Sequence, residues 1–446
     1  MLMCGAAKAV INPPLPAVLA GYLPRTATKV HDDLHVAAIY LKQGPDPVLL
    51  LTYDTIAIHA GFCDEVQAAV HAETGIPLRN IFLTCSHTHS SPRVGVTPEA
   101  VKAAPKERRK EMEQLAKYHQ RVVVGSVEAA RDAKKSAEPA NVFYNTTRIR
   151  ENLNRRAFFP SGQYFYQPKQ KNLLPLCDGI VDDELAVIFF KATKEERFIA
   201  TLVNYTAHPL CIGDSSNEVS ADYPGVLKAE IERNLGGTAL FVNGACGDNH
   251  PLGAEAGLAR AERMGLALAE KALYHRWDAV MLDNTTLSAC YKEIGLPPMT
   301  EADFEALPKN FASDWRSRGN IVDGQVRTFI SLWAVGPLLF CGVPGELSAE
   351  LGLRLKWESA FPKTFVMFIA TDNLGYISHR NAYQWGGYEV LTSALGPNGG
   401  KNLVGEILAA AEELKIRFEK VTGKNLHLPG ALEGAVPANA PGAAKK

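Results

Sequence analysis

The chain has 446 residues, 46% of them hydrophobic, and its 47 Lys and Arg against 48 Asp and Glu leave a formal charge of −1. A chain of this size can bury a large core. The balanced charge excludes the basic footprint of a nucleic-acid binder and the acidic excess of a solvating tail, and no stretch reaches the roughly 18–20 apolar residues that cross a bilayer.

The opening run MLMCGAAKAVINPPLPAVLA holds one Lys and a Pro cluster in place of the unbroken apolar segment of a secretory signal. Residues 48–54 (VLLLTYD) and 81–85 (IFLTC) are short apolar runs bounded by turn residues, and both predict buried strands. Between them, residues 62–74 have helical spacing that Gly75-Ile76-Pro77 ends. This strand–helix–strand unit predicts an α/β layer fold. Residues 98–133 are charged and helix-favouring, broken at Pro105, and their KERRKEMEQ run reads as a solvated helix face. Further strands are expected at 185–190, 198–204, 239–242 and 338–341, with helices at 224–234 and 257–274. The polar, irregular segment 297–318 reads as an insertion near a substrate. From 428 the chain is rich in Pro, Ala, Gly and Lys, so a domain at 1–427 and a disordered tail at 428–446 are expected. The eight cysteines are scattered with no Cys-x-x-Cys pair, the usage of reduced, buried thiols, and the protein is expected to be cytoplasmic. The fold class is α/β: a mixed central β-sheet flanked by helices, with the active site at the strand carboxyl ends.

Chemistry-bearing residues follow these strands one after another. Ser86-His87-Thr88-His89-Ser90-Ser91-Pro92 comes directly after 81–85. A His-x-His pair on extended chain points both rings to one side, which suits a metal, a metal ligand beside a proton shuttle, or simply two surface histidines. His208 follows 198–204, and Asn243-Gly244-Ala245-Cys246-Gly247-Asp248-Asn249-His250 follows 239–242. Small residues there permit tight turns, and Asp248 and His250 reach the same edge. That motif lacks the ending of a phosphate loop and the dinucleotide fingerprint. Gly345-Glu346 follows 338–341, and Gly375-Tyr376 precedes the aromatic run Tyr383, Trp385 and Tyr388. The carboxyl ends of sheet strands are where open α/β folds hold ligands.

In order along the chain, these segments resemble the N-terminal catalytic domain of the neutral/alkaline non-lysosomal ceramidase family. The likeness runs through Ile11-Asn12-Pro13-Pro14, Ala20-Gly21-Tyr22, His31-Asp32-Asp33-Leu34, the His-x-His motif, Asn154-Arg155-Arg156, Asp182-Asp183-Glu184, residues 205–225, residues 247–252, residues 344–355 and residues 376–389. The resemblance implies that His87, His208, Glu346 and Tyr376 hold one Zn2+, another divalent transition metal also fitting this donor set. It implies that His89 stands beside the metal as a proton carrier and that Arg155 and Tyr388 meet the substrate carbonyl. Asp248 and His250 complete the catalytic candidates. His250 stands where the family has serine, and Arg93 where it has glycine after its His-x-His motif. His250 either contacts a polar or anionic substrate, adds a metal ligand, or makes a structural hydrogen bond. The family's C-terminal immunoglobulin-like domain is expected to be absent.

The expected function is therefore hydrolysis of a C–N amide bond by metal-activated water, on a small-molecule substrate other than ceramide. Ester, glycosidic or lyase chemistry at the same metal, or binding without turnover, are the alternatives.

Overall fold

Residues 35–42 (HVAAIYLK) show how alternation builds the layers. Val36, Ala38 and Tyr40 face one side of the strand, and Ala37, Ile39 and Leu41 face the other. Both faces are buried, so each must be covered by a separate layer.

The computed structural model describes residues 1–22, 24–158, 164–165, 179–195, 197–253, 256–309 and 319–429. Among them a nine-stranded mixed sheet runs in the order Thr238–Asn243, Phe198–Tyr205, Glu184–Ala192, Glu138–Arg148, Met3–Val10, His35–Lys42, Val48–Tyr53 and Ile81–Cys85, with Val280–Met281 beside Glu138–Arg148. Its two end pairs are parallel and the pairs between them are antiparallel. Helices Ala60–Thr74 and Arg109–Lys135 cover one face at the Ile81–Cys85 end, and helices Tyr223–Leu235 and Leu258–Tyr274 cover it at the other. The opposite face packs on a second, five-stranded sheet that includes Leu287–Leu296, Gln325–Val335, Leu338–Gly342 and Lys363–Met367. There the Trp333 and Phe340 rings stack with centroids 4.1 Å apart. Helices Ala349–Glu358 and Gly399–Thr422 close the outer side of that sheet.

The expected mixed central sheet with flanking helices is thus present, and the second sheet adds a layer. The expected strands and helices each lie within one to three residues of the observed bounds. Pro105 separates helix Pro98–Ala103 from Arg109–Lys135, as its missing N–H requires. Inside the segment read as irregular, Thr300 and Asp303 form a capping box for the short helix Glu301–Ala306, and residues 310–318 lie outside the described residues. Leu426 and Leu428 pack against the two cores; the rest of the expected tail, from 430, lies outside the described residues. The seven cysteines among the described residues are free. No helix of the described residues is long and apolar enough to cross a membrane.

Candidate metal centre

Parallel neighbours end on the same edge of a sheet, so the segments that follow them lie side by side. Ile81–Cys85 delivers His87 and His89, Phe198–Tyr205 delivers His208, and Thr238–Asn243 delivers His250. From the second sheet, the parallel strands Leu338–Gly342 and Lys363–Met367 lead to a short parallel pair that sets Glu346 directly beside Tyr376.

Asn243 ties these segments together. Its buried amide donates to Ser86 O at 3.0 Å and Ala207 O at 3.1 Å and accepts from Ala207 N at 3.3 Å. Its backbone carbonyl accepts from Phe368 N at 3.0 Å. Asn243→Ala would leave Ser86 O and Ala207 N without that partner, Ala207 O keeping Tyr223 Oη, and is expected to cost about 3 kcal/mol of stability. Metal affinity should fall about 10- to 100-fold, the usual loss when support behind a ligand is removed. Denaturant unfolding and metal titration check both, and unchanged metal affinity would show that this amide does not hold the histidine loops.

The tautomers of two histidines follow from their partners. A carbonyl only accepts, so His87 Nδ1–H donates to Ile56 O and His208 Nδ1–H to Cys246 O, the latter at 2.5 Å. Each Nε2 is left with a bare lone pair facing inward. His87 holds φ +72°, a left-handed conformation that costs a histidine roughly 1–3 kcal/mol. His89 seats its ring against Gly21, whose φ is +94°; a Cβ there would fall 2.4 Å from His89 Nδ1. Arg25 holds the His89 carbonyl at 2.5 Å.

The inward atoms converge. His89 Nε2 lies 3.3 Å from His87 Nε2. Glu346 Oε2 lies 3.6 Å from His87 Nε2 and 3.3 Å from His208 Nε2. His208 Nε2 and Glu346 Oε2 are buried with no hydrogen-bond partner, their mutual approach lacking hydrogen-bond geometry. The three imidazoles bring ligand nitrogens within 4.8 Å of one another. Tetrahedral zinc with bonds of about 2.0–2.2 Å spaces its donors about 3.3–3.5 Å apart, close to the separations found. One shared proton would neutralise a single pair; a divalent cation would accept from all the converging atoms. The residues fit a metal.

Charge states agree with this. Burial draws the His87 imidazole down to about 4 despite Glu346, with His208 adding to the effect. Burial, then His87 and His208, hold His89 well below the ordinary histidine value. Burial opposes the charge of Glu346, but His87, His208 and a Tyr376 hydrogen bond hold its carboxyl below the ordinary value.

A buried ion network stands beside the cluster. Arg155 Nε donates to Glu389 Oε1 and Arg156 Nη1 to Glu389 Oε2, both at 2.6 Å. Arg155 also donates to His250 Nε2 at 2.7 Å and to Gly247 O at 3.2 Å. Its guanidinium lies 5.4 Å and 5.8 Å from the Tyr376 and Tyr388 ring centroids, and those rings are 5.2 Å apart. Burial opposes ionisation of Glu389, but Arg155 and Arg156 pull it down to about 2.

The structure therefore gathers His87, His89, His208, His250, Glu346, Tyr376, Arg155 and Tyr388 in one place. Asp248 sits behind them in a scaffold position, its carboxylate accepting from Asn154 Nδ2, Asn249 Nδ2 and Ala349 N, the last at a helix start. Arg155, expected at the substrate carbonyl, has its Nε, Nη1 and Nη2 each engaged within the protein. Sequence reasoning missed Asn243, Arg156 and Glu389 as members of the site. The adjacent pair Arg155-Arg156 was the available signal for Glu389, because two buried guanidiniums require a buried counter-charge.

Layers, strand-end loops and a buried histidine–carboxylate cluster define a mixed α/β protein with an enzyme-like centre. The chain belongs to the neutral/alkaline non-lysosomal ceramidase family, whose N-terminal profile matches residues 19–251. In fold it is similar to a ceramidase solved in complex with C2 (TM-score 0.73, 16% identity, 93% of this chain and 75% of that one). It is likewise similar to the neutral ceramidase of Pseudomonas aeruginosa (TM-score 0.71, 17% identity, the same coverage). No curated protein sequence matches the chain.

Proposed function

We propose that the protein is a metal-dependent hydrolase of carbon–nitrogen amide bonds, with His87, His208, Glu346 and Tyr376 holding one zinc ion. Membership of the ceramidase family supports amide hydrolysis. The observation that carries the metal is the His208 Nε2 lone pair facing the Glu346 carboxylate at 3.3 Å with neither atom in a hydrogen bond. Bound there, a divalent cation supplies a Lewis acid that acidifies a water and polarises a carbonyl.

The side chains do the rest. His89, neutral and 3.3 Å from His87 Nε2, takes a proton from the attacking water and returns it to the departing amine. Tyr388 offers a hydroxyl to the carbonyl oxygen, a service worth about 3 kcal/mol in the transition state. Arg155, fixed by Glu389, places positive charge beside both tyrosines. The spacing of the three imidazoles favours a second arrangement, with His89 in place of Tyr376 as the fourth donor. X-ray absorption of the metal-loaded protein separates the two by its nitrogen count, tested with His89→Ala and Tyr376→Phe. The free thiols suit a reducing, cytoplasmic setting.

Metal analysis of the purified protein, with amide, ester and glycoside substrates assayed with and without chelator, tests the function. One equivalent of a divalent metal and chelator-sensitive amine release are expected. Chelator-insensitive turnover, or turnover confined to esters or glycosides, would overturn the proposal.

A further inference from the structure

Two cations act on His250, one in direct contact and one at longer range. Arg155 Nη1 lies 2.7 Å from its Nε2, and Arg260 reaches past it to the carbonyl of Pro251 at 2.5 Å and of Leu252 at 3.2 Å. A guanidinium only donates, so His250 Nε2 must accept, and the proton of the neutral ring sits on Nδ1. That N–H has no hydrogen-bond partner among the described residues, and the residue retains 8% of its surface exposed. The ring centroid is 5.1 Å from that of His208, so the donor lies one residue's breadth from the converging metal ligands.

The surrounding charge has a sign. Arg155 touches the His250 ring and Arg260 adds positive potential to it, and a divalent cation beside His208 would add more. A hydrogen-bond donor in a positive field prefers an anionic acceptor, and a bond of that kind is roughly twice as strong as one between neutral groups.

We infer that His250 is a specificity-determining residue whose Nδ1–H receives a carboxylate on the substrate, so that the substrate class is amides that carry a carboxylate, such as N-acyl amino acids. The inference rests on the hydrolase reading and deepens it. Its bond is made to a group that does not react, so it acts on binding and orientation, and no proton changes hands at His250.

The test uses the full-length, zinc-loaded protein and two probes with the same acyl chain, N-octanoylglycine and N-octanoylethanolamine, which differ in carboxylate against hydroxymethyl. Calorimetric binding and amine release are both measured. The carboxylate probe is expected to bind at least about tenfold more tightly. His250→Phe is expected to erase that preference with zinc still bound. His250→Asn, whose amide oxygen can accept from Arg155 while its NH2 donates outward, is expected to keep most of it. Equal binding of the two probes by the native protein would overturn the inference even if both are cleaved. So would a preference that survives in His250→Phe, or loss of zinc from both variants, which would make His250 a ligand. If the carboxylate probe binds in a His250-dependent way but no amide is cleaved, carboxylate recognition stands and the hydrolase reading falls.

Discussion

His208→Ala is expected to reduce bound divalent metal from a full equivalent to background and to abolish amide hydrolysis. The expectation follows from geometry. His208 Nε2 is one of the two atoms facing Glu346 Oε2, and its Nδ1 proton is fixed on Cys246 O, which leaves its Nε2 lone pair turned into the cluster. Removing one strong donor from a closed set typically costs more affinity than the remaining ligands can recover. The fold should persist at a cost of about 2–4 kcal/mol, the loss being one side-chain hydrogen bond to Cys246 O and the packing of a fully buried ring. Metal content by emission spectroscopy, read with circular dichroism, separates the outcomes. Normal metal stoichiometry in a folded variant would remove His208 from the ligand set.

The second large effect falls on stability. Glu389→Ala leaves two guanidiniums buried without their carboxylate, a loss of about 3–5 kcal/mol. The pH dependence has a definite sign. The Glu389 carboxyl sits at about 2 when folded and near 4.3 when unfolded. Its contribution is therefore complete above about pH 4.5 and is lost as pH falls from there toward 2. The amount is on the order of 3 kcal/mol. Glu389→Gln should be less stable at neutral pH and show a shallower acid decline over that window. An acid profile that matches the native protein would mean that Arg155 and Arg156 are held by other groups.

The legibility of the sequence followed the physics of each element. Strands with long apolar runs, such as Val48–Tyr53 and Ile81–Cys85, could be read directly because both faces are buried. Met3–Val10 (MCGAAKAV) gave no such signal, yet it is a central strand, where small residues let helix Arg109–Lys135 approach. Tertiary packing overrides strand propensity there. Helix Gly399–Thr422 carries buried Leu403, Val404, Ile407, Ala411 and Leu414 at helical spacing and ends on Gly423, so it lay within reach of the same periodicity argument and was passed over. At the site, the histidines and Glu346 were legible because each follows an expected strand, whereas Tyr376 and Tyr388 took their roles only through the family resemblance. The carbonyls of Ile56 and Cys246, which set the tautomers, were not, since a backbone group has no sequence signature. Asn243 and Glu389 belong to a middle case: both lie inside or beside noted motifs, but their importance depends on partners more than 30 residues away that only the assembled layers bring close.

The donor set spans both sheets and most of the chain. The segment matched by the family profile, 19–251, contains all four histidines of the cluster, yet Glu346, Tyr376, Tyr388 and Glu389 lie beyond it. The centre is thus not a module that could be excised, transplanted or shuffled by joining fragments at a boundary near residue 251. A recombinant half ending near residue 251 would present the imidazoles without Glu346, Tyr376 or Glu389, and any cation it captured would meet a different set of charges.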